Sequence, residues 1–309
     1  LWKCYSKCTM AKYYATISGL PNIGVDDRKL PFSSELFVEE LREVLTSGDF
    51  KLLEVLRWER ENRFLIDYLE SPEKALEATE QPQLLSYEEV ATVMDALKKG
   101  TKLPKHHLPA YIIDFLKDFV VEKDEEDDLQ DDEEEVRMWP LRLEDKLADY
   151  YYTKFALPAR NHFVAEWSRL NLDIRNVFAA FTSRNLGWDP KDYIVGDSEV
   201  ERKLKTSTAT NFGLSEEEIE YIAALTSVQN ETDITRRERM LDVLKWNWLE
   251  ERVFDRTFNV ETILAYYLQL RIIERWTELN EKTGEETFRS IVATLKKESN
   301  DSLNEFKRN

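Results

Sequence analysis

Asp127, Asp128 and Asp131 read as DDxxD, a spacing at which carboxylates one helical turn apart could hold Mg²⁺ against a diphosphate, because a hard cation prefers oxygen ligands. The match lies inside Glu122–Glu135, which holds eleven acids and one lysine. In such a run DDxxD arises almost automatically, and no apolar residues accompany it to bury one face. His106 and His107 are adjacent, so they point in different directions on any regular element, and Pro104 and Pro109 flank them in an expected surface loop. His162 stands beside Phe163 and near Trp167, where a packing or hydrogen-bonding role is expected before that of a base. Cys4 and Cys8 are the two cysteines of the chain, too few for a disulfide framework or a zinc site without more ligands. Neither GxxxxGKS nor GxGxxG occurs, nor do HExxH or GxSxG. No catalytic residue, cofactor site or metal site is therefore expected. Four arginines remain as candidates for partner contact: Arg57, Arg63, Arg169 and Arg175, expected as exposed helix charges. The pairs Glu274/Arg275 and Asp173/Arg175 could be buried polar contacts or interface charges.

The elements that must carry these residues read as helices. Only 8 Gly and 9 Pro punctuate 309 residues, with 42% hydrophobic and 34% charged, the balance of a globular protein with strongly charged faces. Ser33 or Ser34 offers a cap before ELFVEELREVL, and Asp49 a cap before FKLLEVLRWERENRFLIDYLE, whose Arg57, Glu59, Glu61 and Arg63 are left for solvent or partners. Pro72 suits a helix start, and Ser86 with Glu89 forms a capping box. LEDKLADYYYTKFALPARNHFVAEWSRLNLDIRNVFAAFTSRN predicts one or two long helices with a bend at Pro158. Residues 185–214 look irregular, and Ser215 with Glu218 repeats the capping-box pattern. Asn259 caps a helix from Val260 whose Ile263, Tyr266, Tyr267, Leu270 and Ile273 form one apolar stripe. KYYATIS at 12–18 fits a strand or a buried helix start equally well.

The net charge is -18, of which the run 122–135 supplies -10. Nucleic acid is an unsuitable partner for such a chain, since phosphate binding needs clustered Lys and Arg. No stretch approaches the roughly 20 apolar residues of a spanning helix, and the cytoplasm is the expected compartment. Met10 precedes AKYYATISGLP, which suggests that residues 1–9 are an extension. The expected organisation is a helical region 10–121, an acidic linker 122–137 and a second helical region 138–309. Arg57 and Arg63 are spaced like Arg169 and Arg175, with an acid two residues before the second arginine of each pair, a faint internal echo.

LNLDIRNVFAAFTSRNLGW (170–188) and VETILAYYLQLRIIERWTELNEKTGEETF (260–288) resemble the family of C-type subunits (d-type in eukaryotes) of V-type ATPases, in the divergent form of Bacteroidetes-type operons. KYYATISGLP after Met10 is similar to the opening of those proteins, and the resemblance spans nearly the whole chain. Its motifs are patterns of packing residues rather than a catalytic signature, and the acidic insert departs from them. The resemblance implies an all-α, elongated, funnel-like protein of several helical lobes. It implies a non-catalytic central-stalk component of a rotary ATPase or ATP synthase, on the cytoplasmic face of the inner membrane. There it would join the D and F shaft subunits to the membrane rotor ring during proton or sodium transport. The alternatives are a helical adaptor of another complex, or a Mg-dependent isoprenoid synthase using Asp127, Asp128 and Asp131.

Overall fold

The computed structural model describes residues 13–127, 143–256 and 258–277. Among these residues all regular structure is helical and no strand occurs. In chain order the α-helices are α1 (13–19), α2 (Ser34–Val44), α3 (Ser47–Glu70), α4 (Pro72–Glu77), α5 (Tyr87–Lys98), α6 (Ala110–Asp127), α7 (Leu143–Tyr151), α8 (His162–Leu186), α9 (Glu199–Thr206), α10 (Ile222–Gln229), α11 (Ile234–Val253) and α12 (260–277). No described helix is long and apolar enough to cross a membrane.

Local chemistry explains most of the helix ends. Ser33 caps α2 by accepting from the Leu36 backbone N–H at 3.2 Å, and Ser86 caps α5 by accepting from Glu89 N–H at 3.3 Å. The second half of the α5 capping box is replaced, because the Glu89 carboxylate accepts instead from His107. The helix expected after Asp49 starts earlier, at Ser47, so Asp49 lies in its first turn, where a negative charge suits the positive end of the helix dipole. The segment around Pro158 is two helices with a break. α7 widens into a π turn at Tyr152–Ala156, closed by Leu157 N–H on the Tyr152 carbonyl, and Pro158 has no N–H to continue the ladder. Asn161 then caps α8. KYYATIS resolves as helix over its described residues 13–18.

Residues 185–214, expected as irregular, are more ordered than that. Gly187 adopts φ 71° and Trp188 N–H bonds the Ser183 carbonyl at 2.8 Å, a left-handed stop that suits glycine. A short 3₁₀ turn follows at Pro190–Asp192, and then α9 starts on a complete Ser198/Glu201 capping box. The Ser215/Glu218 pair does form, yet it closes a turn; the next helix, α10, begins at Ile222.

The chain divides into two compact units, one made of Leu1–Thr46 with Glu238–Asn309, the other of Ser47–Arg237. The boundary expected at 122–137 falls inside the second unit, where α6 and α7 pack on each other. In the first unit the α12 stripe is buried throughout, with Ile263, Leu270 and Ile273 at 0% exposure. Burial of each such side chain stabilises by about 1.5–3 kcal/mol. Phe37 of α2 meets Tyr266 edge-on at 5.4 Å, and the Tyr266 hydroxyl donates to the Pro21 carbonyl at 3.0 Å. In the second unit three phenols tie α6 and α7 to α3. Tyr111 donates to Asn62 Oδ1 (2.7 Å), Tyr151 to the Val55 carbonyl (3.0 Å) and Tyr152 to Glu59 Oε1 (2.8 Å). Burial pushes all three hydroxyls well above the usual phenol range, so they stay protonated hydrogen-bond donors.

Candidate functional site

The four candidate arginines all stand in the second unit, Arg57 and Arg63 on α3, Arg169 and Arg175 on α8. Each helix carries the series Arg, acid four residues on, Arg six residues on. Residues four apart share a helix face, while six residues turn the third member well away from it. On α3 this places Arg57 and Glu61 inward, at 6% and 3% exposure, and leaves Arg63 outside. The expectation that Arg57 is an exposed charge, and that Glu61 is left for solvent or partners, is thus corrected: α3 is packed over more of its circumference than a single-stripe helix, and both residues find polar partners inside.

Glu61 accepts from three consecutive backbone N–H groups, those of Gln83 (3.0 Å), Leu84 (2.8 Å) and Leu85 (2.9 Å). Arg57 donates to Gln83 Oε1 at 2.5 Å. Together they fix the stretch of chain leading into the Ser86 cap of α5. Arg63, on the outer face, pairs with Glu80 at 2.8 Å, and Arg60 pairs with the same carboxylate. The Arg60 hydrogen bond is the chief reason the Glu80 carboxyl lies below its usual range.

The α8 series is wired differently. Arg169 donates to Glu201 Oε1 at 2.8 Å and approaches Asp173 Oδ1 at 3.6 Å, beyond hydrogen-bond range. Glu201, at 1% exposure, also accepts from Ser198 N–H at 2.8 Å and from the Ser198 hydroxyl. Asp173 is 3% exposed, and its Oδ1 has no hydrogen-bond partner among the described residues. Burial pushes the Asp173 carboxyl up to about 7; Arg169 opposes the shift and Glu201 reinforces it. Arg175 pairs with Asp145 of α7 rather than with Asp173. Three residues past Asp173, Asn176 clasps Val195 from both sides, donating to its carbonyl (2.8 Å) and accepting from its N–H (3.0 Å).

The echo in the sequence therefore extends into structure. Arg57, Glu61 and Arg63 recur 112 positions later as Arg169, Asp173 and Arg175, and Ser86 and Glu89 recur at the same offset as Ser198 and Glu201. Gln83, held by Glu61, corresponds to Val195, held by Asn176. The first unit contains a comparable clasp: Glu274 of α12, 9% exposed, accepts from Ser34 N–H (3.2 Å), the Ser34 hydroxyl (2.6 Å) and Arg271 (2.7 Å) at the head of α2. Its neighbour Arg275 serves Asp242 and Glu238. In each case a long helix projects a buried polar group onto the backbone at or just before the start of a short helix.

Arg63 and Arg175 are brought together on a cleft of about 360 Å³ between α3 and α7, over a floor that includes Ile66, Leu147 and Tyr151. Glu59 and Asn62 on its wall already serve Tyr152 and Tyr111. Arg63, Arg175, Tyr151 and Tyr152 of the lining are likewise held by Glu80, Asp145, the Val55 carbonyl and Glu59, while the carboxylates of Asp67 and Glu144 also face the cleft. Arg57 and Arg169 are not among its lining residues. Among the described residues no group of His, Cys, Asp and Glu is placed to hold a metal ion. Asp127 ends α6, while Asp128, Asp131, Cys4 and Cys8 lie outside the described residues. His107 is held by Glu89 at 2.8 Å, and His162 approaches Glu166 at 3.2 Å on the surface.

A family described as "Protein of unknown function (DUF2764)" matches residues 10–299. The chain belongs to this family. The DUF2764 match takes in both compact units and the acidic run. No curated protein and no solved structure matches the chain. Asn176 escapes a reading of the sequence, Glu61 is left there for solvent or partners, and Glu274 is named as a possible buried contact, with Arg275 and not with Ser34. The local signal at the clasped segments is S-x-x-E, at Ser86–Glu89 before α5 and at Ser198–Glu201 before α9.

Proposed function

We propose that the protein is a non-catalytic coupling component of a V-type ATPase or ATP synthase, standing in the central stalk between the D and F shaft subunits and the membrane rotor ring. The observation that carries this reading is the recurring clasp, in which long helices lock the heads of short ones through buried polar groups. A part that passes torque must not let its helices slide. Close-packed interiors resist compression, and a buried polar contact resists a change of register because sliding would leave its groups unpaired in a dry interior. The resemblance at 170–188 and 260–288 supplies the identity of the machine, and the all-helical described residues suit it. Attachment to the ring would be peripheral, through protein contacts.

The test is reconstitution of the ATPase with and without this chain. Omission is expected to leave ATP hydrolysis by the head while ion transport stops, and the chain is expected to co-purify with the D and F shaft proteins. Ion transport that persists without it overturns the proposal. Co-purification with an unrelated assembly, and none with D and F, assigns it as an adaptor elsewhere.

A further inference from the structure

Residues 98–107, KKGTKLPKHH, put four lysines and two histidines into ten positions, and no acid occurs between Asp95 and Asp114. In a chain of net charge -18 this is a marked segregation of positive charge. Lys98 ends α5, Lys99 follows it, and Gly100 turns the chain at φ 62°. Lys98, Lys99, Lys102 and Lys105 are all exposed. Lys99 meets Asp95 at 2.7 Å with both side chains more than half in solvent (65% and 62%), a contact of little energetic weight. Lys98, Lys102 and Lys105 have no ion pair among the described residues.

The backbone beneath these lysines is held. Thr101 N–H bonds the Ala96 carbonyl at 3.0 Å, His107 N–H donates to Glu89 at 3.0 Å with its ring at 2.8 Å from the same carboxylate, and Leu108 is buried at 5% exposure. The loop is thus a fixed cationic surface with solvated charged tips. Within the segment Lys99 meets Asp95 and His107 meets Glu89, while Lys98, Lys102 and Lys105 are left to solvent.

We propose that loop 98–107 is an electrostatic docking surface for an anionic phospholipid bilayer. Clusters of four or more lysines attract anionic headgroups, and the attraction falls off within a Debye length of about 10 Å at 0.1 M salt, so the acidic remainder of the protein weakens it little once it lies farther off. Lysine presents a hydrated point charge on a flexible stem, suited to a fluid headgroup layer, and the loop contains no arginine fork for a fixed carboxylate or phosphate. It also contains no Phe, Tyr or Trp on which nucleic-acid bases could stack. The surface goes beyond the coupling role and does not depend on it.

The test is co-sedimentation of the full chain with vesicles of phosphatidylcholine alone or mixed with phosphatidylglycerol. Binding is expected to the mixed vesicles only, and to vanish at high salt. Each lysine removed should lower the partition coefficient about fivefold, and the fourfold variant Lys98→Gln/Lys99→Gln/Lys102→Gln/Lys105→Gln on the order of several hundredfold. A control with Lys51→Gln and Lys74→Gln, exposed lysines elsewhere, should bind as the parent does. Equal binding to both vesicle types, or full binding by a fourfold variant with an unchanged circular-dichroism spectrum, overturns the proposal. So does tight binding of a glutamate-rich peptide with none to vesicles, which would assign the loop to an acidic protein segment. Vesicle binding needs no ATPase component, so its failure is separate from failure of the coupling reading.

Discussion

Helices α3 and α8 carry the same series of charges at the same spacing, and the surrounding chain treats them in opposite ways. On α3 the buried carboxylate of Glu61 is answered by three backbone N–H groups, which supply the hydrogen bonds it gives up on leaving water. On α8 the corresponding Asp173 shares one arginine with Glu201 and keeps an oxygen without a hydrogen bond. The clasping duty there has passed to Asn176, an uncharged group that holds Val195 without a desolvation penalty for an ion. A repeated spacing therefore specifies where a polar group lands, and the partner chain segment specifies whether its charge is settled.

The sharpest way to break this comparison is Glu61→Ala. Three buried N–H groups would lose their acceptor, and the unfolding free energy in urea is expected to fall by about 3–5 kcal/mol. A loss below about 1 kcal/mol would mean that Glu61 is incidental to the α3 clasp.

Asp173→Asn should act in the other direction, and more strongly at the higher pH. The folded Asp173 carboxyl lies at about 7 against an ordinary 3.8, so folding favours its protonated form. Its contribution to stability is complete below the ordinary value of 3.8 and is lost as pH rises through about 7. The asparagine variant removes the titrating group, and at a pH of about 8 it is expected to gain on the order of 2 kcal/mol over the parent. Thermal unfolding on either side of the folded value, at pH of about 5 and about 8, measures this. An identical pH slope in parent and variant would move the titration elsewhere.

Gly187→Ala should cost about 1 kcal/mol. Nothing lies within 4 Å of the added methyl, so only the left-handed backbone at φ 71° is penalised. A larger loss in the melting curve would show that the α8 stop also governs the placement of α9. Smallest of all, Glu80→Ala removes the partner of Arg60 and Arg63 on the outer face of α3. It is expected to change stability by less than about 1 kcal/mol, because exposed pairs contribute little.

Much of the helical framework is legible in the residue order. The α12 stripe, the Ser33 and Ser86 caps and the start of α4 at Pro72 follow from patterns within a few residues of each other. Helix α9 is hidden even though its capping box is in plain view, because Gly187, Asp189 and Pro190 read together as an unbroken loop. Of the four arginines, Arg63 and Arg175 share a cleft, whereas Arg57, which its local pattern assigns to solvent, lies inside. Its partner Gln83 lies 26 residues away, beyond any periodicity.

The sequence by itself determined the helical character that all regular structure of the described residues shares, where several of the helices begin, and that one series of charges occurs twice. Helix period and capping are set by neighbours along the chain, so residue order is enough. Only the tertiary structure decided which charges enter the interior and how each is satisfied. A carboxylate on a helix becomes a clasp or a strained proton-binding group according to which distant backbone groups arrive beside it, and folding alone brings those groups there.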